Sequence, residues 1–545
     1  MLERLLCAWL VVAGMAARAQ TAATGIRTGA QLATFRSDVD GSNQPYALYV
    51  PKSFAPGKKY PLVISLHEED SNHRLSLRRI LGVVARLGEP DIEDMRFFPP
   101  VRDVEFLVAC PLARGTMGYQ GIAEKDVYDV LADVKRRFPV DDDRVYLTGI
   151  SMGGGGALWL ALTRPDVWAA VAPVCPTATP VADFLAPNAL NLPMRIFHGD
   201  QDPIVSVESS RAWHRRFLDL NVRADYIEYP GVRHNAWDFA YRDHALFDWF
   251  GTIRRNRFPD LVRFTTRSYR YNTAYWVRID GLTPGMTAAI DARRSATGIQ
   301  VTASNVDGFT LTLDRPVSQV TIDGAVLRIR PAASVSFTHS SGRWRVGHFE
   351  AAGKREGAEG PIAEAFAGRH LYVYGSLGTR TAEELEVRRK VAEAAAAWST
   401  SRARLALTPP VKADSEVTAE DLDSANLVLF GTADTNSVIA RVAGALPLSL
   451  NPGAADYSLL FIAPLGKHYA VINSGLPWWT GADDAGRGGY PFAPEQFRLL
   501  GTFGDFILFK GALANVVAEG RFDRNWKVPA DAAAKLLASG TVTIR

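Results

Sequence analysis

Gly149-Ile150-Ser151-Met152-Gly153 stands directly after the apolar run Val145-Tyr146-Leu147-Thr148 and directly before a Gly- and Ala-rich stretch. This is Gly-x-Ser-x-Gly at a strand-to-helix junction. A turn that sharp leaves almost no room for side chains at its flanking positions, so glycines fill them. It holds the serine in a strained backbone conformation, with its hydroxyl exposed at the end of a sheet. The chain around it therefore has to supply strands that end in one set of loops and helices that pack back against them. Ser151 becomes a candidate nucleophile, and the search for a base and an acid follows from it.

Both appear downstream, each after a strand. Leu192 to Phe197 reads as a buried strand and runs into His198-Gly199-Asp200-Gln201-Asp202. Ala224 to Tyr229 reads as the next strand and runs into Pro230-Gly231-Val232-Arg233-His234. A serine attacks a carbonyl carbon only when a base takes its proton. A histidine does so near neutral pH, and an acid orients its ring and stabilises the imidazolium. The expected set is Ser151, Asp202 and His234. Asp200 competes for the acid position, but the turn needs a few residues before a carboxylate points back, which favours Asp202. A turn serine, a loop aspartate and a surface histidine are each ordinary alone; the order and the strand context set these apart.

A tetrahedral intermediate also needs hydrogen-bond donors for its oxyanion. The Met152 N–H is one candidate. Another comes from the loop after the third strand, Leu66-His67-Glu68-Glu69-Asp70, through the N–H of Glu68 or Glu69. Acidic side chains are unexpected there, and these carboxylates are expected to point to solvent. His67, Glu68, Glu69, Asp70 and His73 do not match a known ligand spacing, so no metal and no cofactor is expected. Tyr119, Gln120 and Trp237 follow strands at the same sheet end and are candidate substrate-binding residues, with plain core packing the competing reading. Gly153 to Gly156 is not a phosphate loop, because no Gly-Lys-Ser/Thr follows; it suits close helix–sheet contact.

Eight strand candidates fall in the first 230 or so residues. Two early alternating ones, Ala33 to Asp38 and Tyr46 to Val50, read as a hairpin; the later ones are continuous apolar runs, as buried parallel strands are. Helical patterns between them predict an α/β fold with a mostly parallel eight-stranded sheet, over residues 20–255. From 260 to 350 the apolar period changes to two, which predicts a small antiparallel, sandwich-like β domain. After the polar linker Ala351 to Gly357, strands and helices alternate again, predicting a small α/β domain over 360–545. A helix is expected to open at Thr381 with Glu384 as its capping partner. Trp478 and Trp479 read as core or interface tryptophans rather than as a carbohydrate platform.

Arg4, the apolar run Leu5 to Ala16 and Ala17-Arg18-Ala19 read as an export signal over residues 1–19. The run is short for a membrane span, so the expected product is secreted or periplasmic, with no span after cleavage. Net charge is +3 with the charges dispersed, which gives no nucleic-acid stripe. Cys110 and Cys175 end strands that are not neighbours and are expected to be two buried thiols. Oligomeric state is not encoded in any pattern found.

Residues 45 to 250 resemble the secreted esterase and prolyl-oligopeptidase-like branch of the α/β-hydrolase superfamily. The likeness rests on Tyr46 to Pro51, Tyr60 to His67, Asp143 to Gly149 with Ser151 to Gly154, His198-Gly199 with Asp202 and Val205, and His234-Asn235 with Trp237. The resemblance implies a Ser151, Asp202, His234 triad, an acyl-enzyme and no cofactor. Glu68 departs from the glycine that the family usually carries there, and so bears on the oxyanion geometry. The implied substrates are small or polysaccharide-linked carboxylic esters, aromatic ones included. A serine peptidase is the nearest rival, although the roughly 25 residues before the first domain cannot form a substrate-filtering propeller. A decayed, purely binding domain is the rival from another class.

Overall fold

Leu62, Val63, Ile64, Ser65 and Leu66 are all fully buried because their strand is covered on both faces: Leu62, Ile64 and Leu66 enter one core and Val63 the other. The computed structural model describes residues 26–83, 101–177, 180–295, 298–379, 381–400, 404–487 and 495–545. The export signal read over 1–19 lies outside them. Eight strands form the first sheet: β1 (Gly29–Arg36), β2 (Asn43–Val50), β3 (Tyr60–Leu66), β4 (Leu107–Pro111), β5 (Val140–Ile150), β6 (Ala170–Val174), β7 (Met194–Gly199) and β8 (Ala224–Tyr229). Their order is β1-β2-β4-β3-β5-β6-β7-β8. The first two pairings are antiparallel and the rest parallel. This is an α/β-hydrolase sheet, and the loops after its parallel strands converge at one end. Cys110 and Cys175 are buried and unbonded, on strands separated by β3 and β5.

A second sheet comprises β9 (Leu261–Thr266), β10 (Thr273–Ala274), β11 (Val277–Leu282), β12 (Ala288–Ser295), β13 (Gly298–Ser304), β14 (Val306–Ile322), β15 (Ala325–Ser340) and β16 (Arg343–Val346). Two apolar stretches, Phe309 to Leu313 and Val320 to Ile322, belong to the single long β14. Its register breaks between Thr312 and Val317, where Pro316, which has no N–H to give, sits in the irregularity. The break lets the first half pair with β11 and the second half with β13. The latter pairing is parallel, so the sheet is not wholly antiparallel as expected.

The third sheet orders β17 (His370–Tyr374), β18 (Val411–Ala413), β19 (Asn426–Phe430), β21 (Tyr457–Leu465), β22 (His468–Gly475), β23 (Phe506–Lys510) and β24 (Val516–Gly520) as β18-β17-β19-β22-β21-β23-β24. Two short strands, β20 (Leu448–Leu450) and β25 (Val542–Ile544), pair separately. The helix Ala382–Ala396 is capped by Thr381, whose hydroxyl accepts the Glu384 N–H, while the Glu384 carboxylate pairs with Arg388. Trp478 is fully buried, donates to the Gln496 carbonyl and meets Trp479 edge-on, so the pair is core.

The later units dock on the first sheet's helices. Asn188 donates to the carbonyls of Leu162 and Thr265 and accepts from the Thr265 N–H. Fully buried Arg114 pairs with Asp40 and Asp126, donates to Ser37, and reaches the Ala406 carbonyl at 2.9 Å. No helix among the described residues is long and apolar enough to cross a membrane.

Candidate active site

β5 ends at Ile150, and the helix Met152–Thr163 begins one residue later. Ser151 makes that reversal at φ +54°, ψ −114°, a conformation that side chains rarely adopt. The glycines on either side are required by contact. A side chain on Gly149 would strike the backbone of Gly153, and a Cβ on Gly153 would lie 2.5 and 2.6 Å from the carbonyl oxygens of Leu66 and His67. The helix N-terminus is thus pressed directly against the end of β3. The following glycines continue the close approach, Gly154 against Val174 and Pro176, and Gly156 against Tyr119.

Three distant side chains meet at this end. The Ser151 hydroxyl lies 3.1 Å from His234 Nε2, and His234 Nδ1 lies 2.7 Å from Asp202 Oδ2. Carboxylates only accept, so Nδ1 carries the proton and Nε2 is left to accept from the serine. Asp202 is itself fixed: its Oδ1 accepts the N–H groups of Ile204 and Val205 at 2.8 and 2.9 Å. Burial works against its charge, but the bonds from His234, Val205 and Ile204 outweigh it, and its carboxyl titrates below the usual value. Asp200 turns elsewhere and accepts the Gly231 N–H at 2.7 Å.

Behind the acid lies a layer in which His198, named above only as part of the acid motif, has a positioning role that the sequence does not reveal. His198 is fully buried; its Nε2 faces Asp202 Oδ2 and the Val205 carbonyl, and its Nδ1 faces the Ser210 hydroxyl at 2.7 Å. Since the first two partners accept, Nε2 holds the proton and Ser210 donates to Nδ1. Burial holds this histidine's pKa down, so it serves as a neutral donor to the acid. Cys175, at φ +38°, donates its thiol to the His234 carbonyl at 3.5 Å.

Met152 opens the helix immediately after the nucleophile and is nearly buried. The Glu68 and Glu69 carboxylates do not point to solvent as expected. Glu68 forms an ion pair with Arg79, and both line a cavity of about 650 Å³ together with Glu69, Asp70, Ser71, Leu75 and Trp237. Arg79 comes from the helix His73–Ile80, and nothing in its local sequence marks it. Its guanidinium lies over the Trp237 ring at 4.8 Å, and Trp237 meets the His234 ring edge-on at 5.4 Å.

Tyr119 and Gln120 are placed differently from the substrate-binding role expected of them. Tyr119 is buried, packs on Gly156 and donates its hydroxyl to the His67 carbonyl, so it braces the loop after β3. Gln120 is exposed and does not line the cavity. The His67 ring nitrogens face the Leu112 and Glu68 carbonyls, and burial, with Arg79 nearby, pulls its pKa down to about 4. A neutral His67 ring carries one N–H, so it donates to one of these two carbonyls and anchors the loop by that bond.

Residues 103–233 match the Esterase family model. An acyl-protein thioesterase 1 from Mycosarcoma maydis is 30% identical over 115 residues, which cover 20% of this chain and 48% of that protein. The chain thus spans about half the length of the curated relative it matches. Among solved structures, a thermostable esterase is 23% identical, covering 42% of this chain and 63% of that one at a TM-score of 0.34. A ferulic acid esterase from Anaeromyces mucronatus is 17% identical, covering 41% and 91% at a TM-score of 0.32.

Proposed function

We propose that this serine hydrolase of the esterase and peptidase branch cleaves carboxylic esters through an acyl-enzyme on Ser151. The supporting observation is the hydrogen-bond series from Ser151 through His234 to Asp202, with the serine held at positive φ. Ser151 Oγ attacks the ester carbonyl carbon while its proton passes to His234 Nε2. The tetrahedral oxyanion is held by the Met152 N–H and the Glu68 N–H. Collapse breaks the bond to the alkoxy oxygen, which leaves as the alcohol with the proton from Nε2. Water then repeats the sequence on the acyl-enzyme and releases the carboxylic acid. Asp202 keeps the His234 ring in its productive tautomer, and His198 with Ser210 holds Asp202.

The cavity beside His234 favours a polyhydroxylated or aromatic group. It offers the Trp237 side chain for apolar contact, and carboxylates and a serine hydroxyl for hydrogen bonds to sugar hydroxyls. We read the substrate class as polysaccharide-linked or aromatic esters, the site as exported, and the two later units as accessory. Assaying p-nitrophenyl acetate, methyl ferulate and peptide anilides side by side tests the activity. Faster turnover of the esters is expected; faster turnover of the anilides overturns the reading in favour of a peptidase. Export is tested by locating the chain after expression with and without residues 1–19.

A further inference from the structure

An acidic residue next to an oxyanion is an electrostatic fault unless something compensates it. Glu68 follows His67, whose carbonyl lies against Gly153 at the start of the nucleophile's helix. Any unpaired charge on Glu68 would therefore face the region where negative charge develops. Repulsion between groups that are little exposed to water is weakly screened. The Glu68 side chain is only 12% exposed and its partner Arg79 only 13%, so water does little of the screening. Arg79 is in turn held over Trp237, the ring that abuts the base. One guanidinium thus bridges the loop after β3 and the wall beside His234. Its field also reaches His67 and Cys175, on either side of the nucleophile.

We propose that Arg79 is a positioning residue of the oxyanion site, one that draws the Glu68 carboxylate aside and neutralises it so that the loop can receive a developing negative charge. The proposal rests on the ester-hydrolase reading above. It accounts for an acidic residue at a place where glycine is the usual choice, since the Glu68–Arg79 pair restores the neutrality a glycine would have had. The guanidinium suits the task because it stays charged at any working pH and can both stack on an aromatic face and pair with a carboxylate.

The test uses the purified full chain and the rate of fluorophosphonate labelling, because the phosphonyl oxygen occupies the oxyanion's place, together with kcat and KM on p-nitrophenyl acetate. Arg79→Gln is expected to slow labelling and kcat by on the order of tenfold to a hundredfold, with KM changed by less than about threefold. Arg79→Lys, which keeps the charge, retains labelling within about fivefold. The double variant Glu68→Gln/Arg79→Gln, which keeps the Glu68 N–H, regains at least about fivefold over Arg79→Gln alone, since the Glu68 carboxylate charge is gone. A double variant as slow as Arg79→Gln assigns Arg79 a merely structural role and overturns the proposal, as does an Arg79→Gln variant that keeps pace with the parent. Should Arg79→Gln not fold, Glu68→Gln alone decides: labelling faster by roughly threefold supports the proposal, and slower labelling overturns it. A parent chain that fails to label at all removes the ester-hydrolase reading instead, and the proposal with it.

Discussion

Replacing Asp202 by Asn changes one atom of the carboxylate and leaves the shape alone. In the parent, Oδ1 takes the Ile204 and Val205 N–H groups and Oδ2 takes His234 Nδ1. The asparagine oxygen has to stay at the Oδ1 position, because two backbone donors face it. The amide NH2 then falls where Oδ2 was, and it points a donor at His234 Nδ1. That nitrogen becomes an acceptor, so the ring proton moves to Nε2, which lies 3.1 Å from Ser151 and can no longer take its proton. The same NH2 also meets the His198 Nε2–H, donor against donor. An equivalent exchange in the chymotrypsin-type triad costs about 10⁴ in kcat, or roughly 5.4 kcal/mol of barrier. We expect a loss of that order in kcat on p-nitrophenyl acetate, with KM little changed. Folding loses less, about 2–4 kcal/mol, because two charge-assisted bonds become neutral ones and the buried His198 N–H loses its carboxylate partner. Stopped-flow and steady-state kinetics measure the first quantity and urea unfolding the second. An Asn variant within tenfold of the parent, folded to the same extent, would mean that Asp202 does not set the His234 tautomer.

Three further predictions are open to direct measurement. Gly153→Ala drives a methyl into the Leu66 and His67 carbonyls, neither of which can step aside, and urea unfolding should show a loss of about 3 kcal/mol or more. Arg114→Met leaves Asp126 buried and unpaired beneath the third unit, which should cost about 3–5 kcal/mol; an unchanged denaturation midpoint would contradict the role given to Arg114. Burial pulls His370 down to about 4, well below the unfolded value of about 6.5. Between those values the unfolded chain binds a proton that the folded chain refuses, so stability falls as pH drops from 6.5 towards 4. His370→Gln should therefore reduce the slope of unfolding free energy in that window by about 1.4 kcal/mol per pH unit, as measured by denaturation at several pH values.

The first sheet was legible because its strands are apolar without interruption and its turns carry glycines with a steric duty, as at Gly149 and Gly153. Ser151, Asp202 and His234 were legible for the same reason: each follows a strand whose end the sequence marks, and the structure brings the three within hydrogen-bond reach. Arg79 and His198 are different. Their significance depends on which elements the topology sets side by side, the helix His73–Ile80 against the loop after β3, and β7 against the helix Val207–Asp219. No local pattern around residue 79 separates it from any helical arginine. Tyr119 misled because an aromatic residue after a strand suits a binding wall and a loop brace equally well, and only its contact with Gly156 and the His67 carbonyl separates the two. In the second sheet, β14 continues through Pro316 because a register shift accommodates a residue that has no N–H to give.

Ser151 is a nucleophile only if His234 takes its proton. Treating the full chain with a fluorophosphonate and mapping the adduct by peptide mass spectrometry tests it most directly. One adduct is expected, on the peptide carrying Ser151, abolished in Ser151→Ala and strongly slowed in His234→Gln. An adduct on another serine, or equal labelling of the His234→Gln variant, would contradict it.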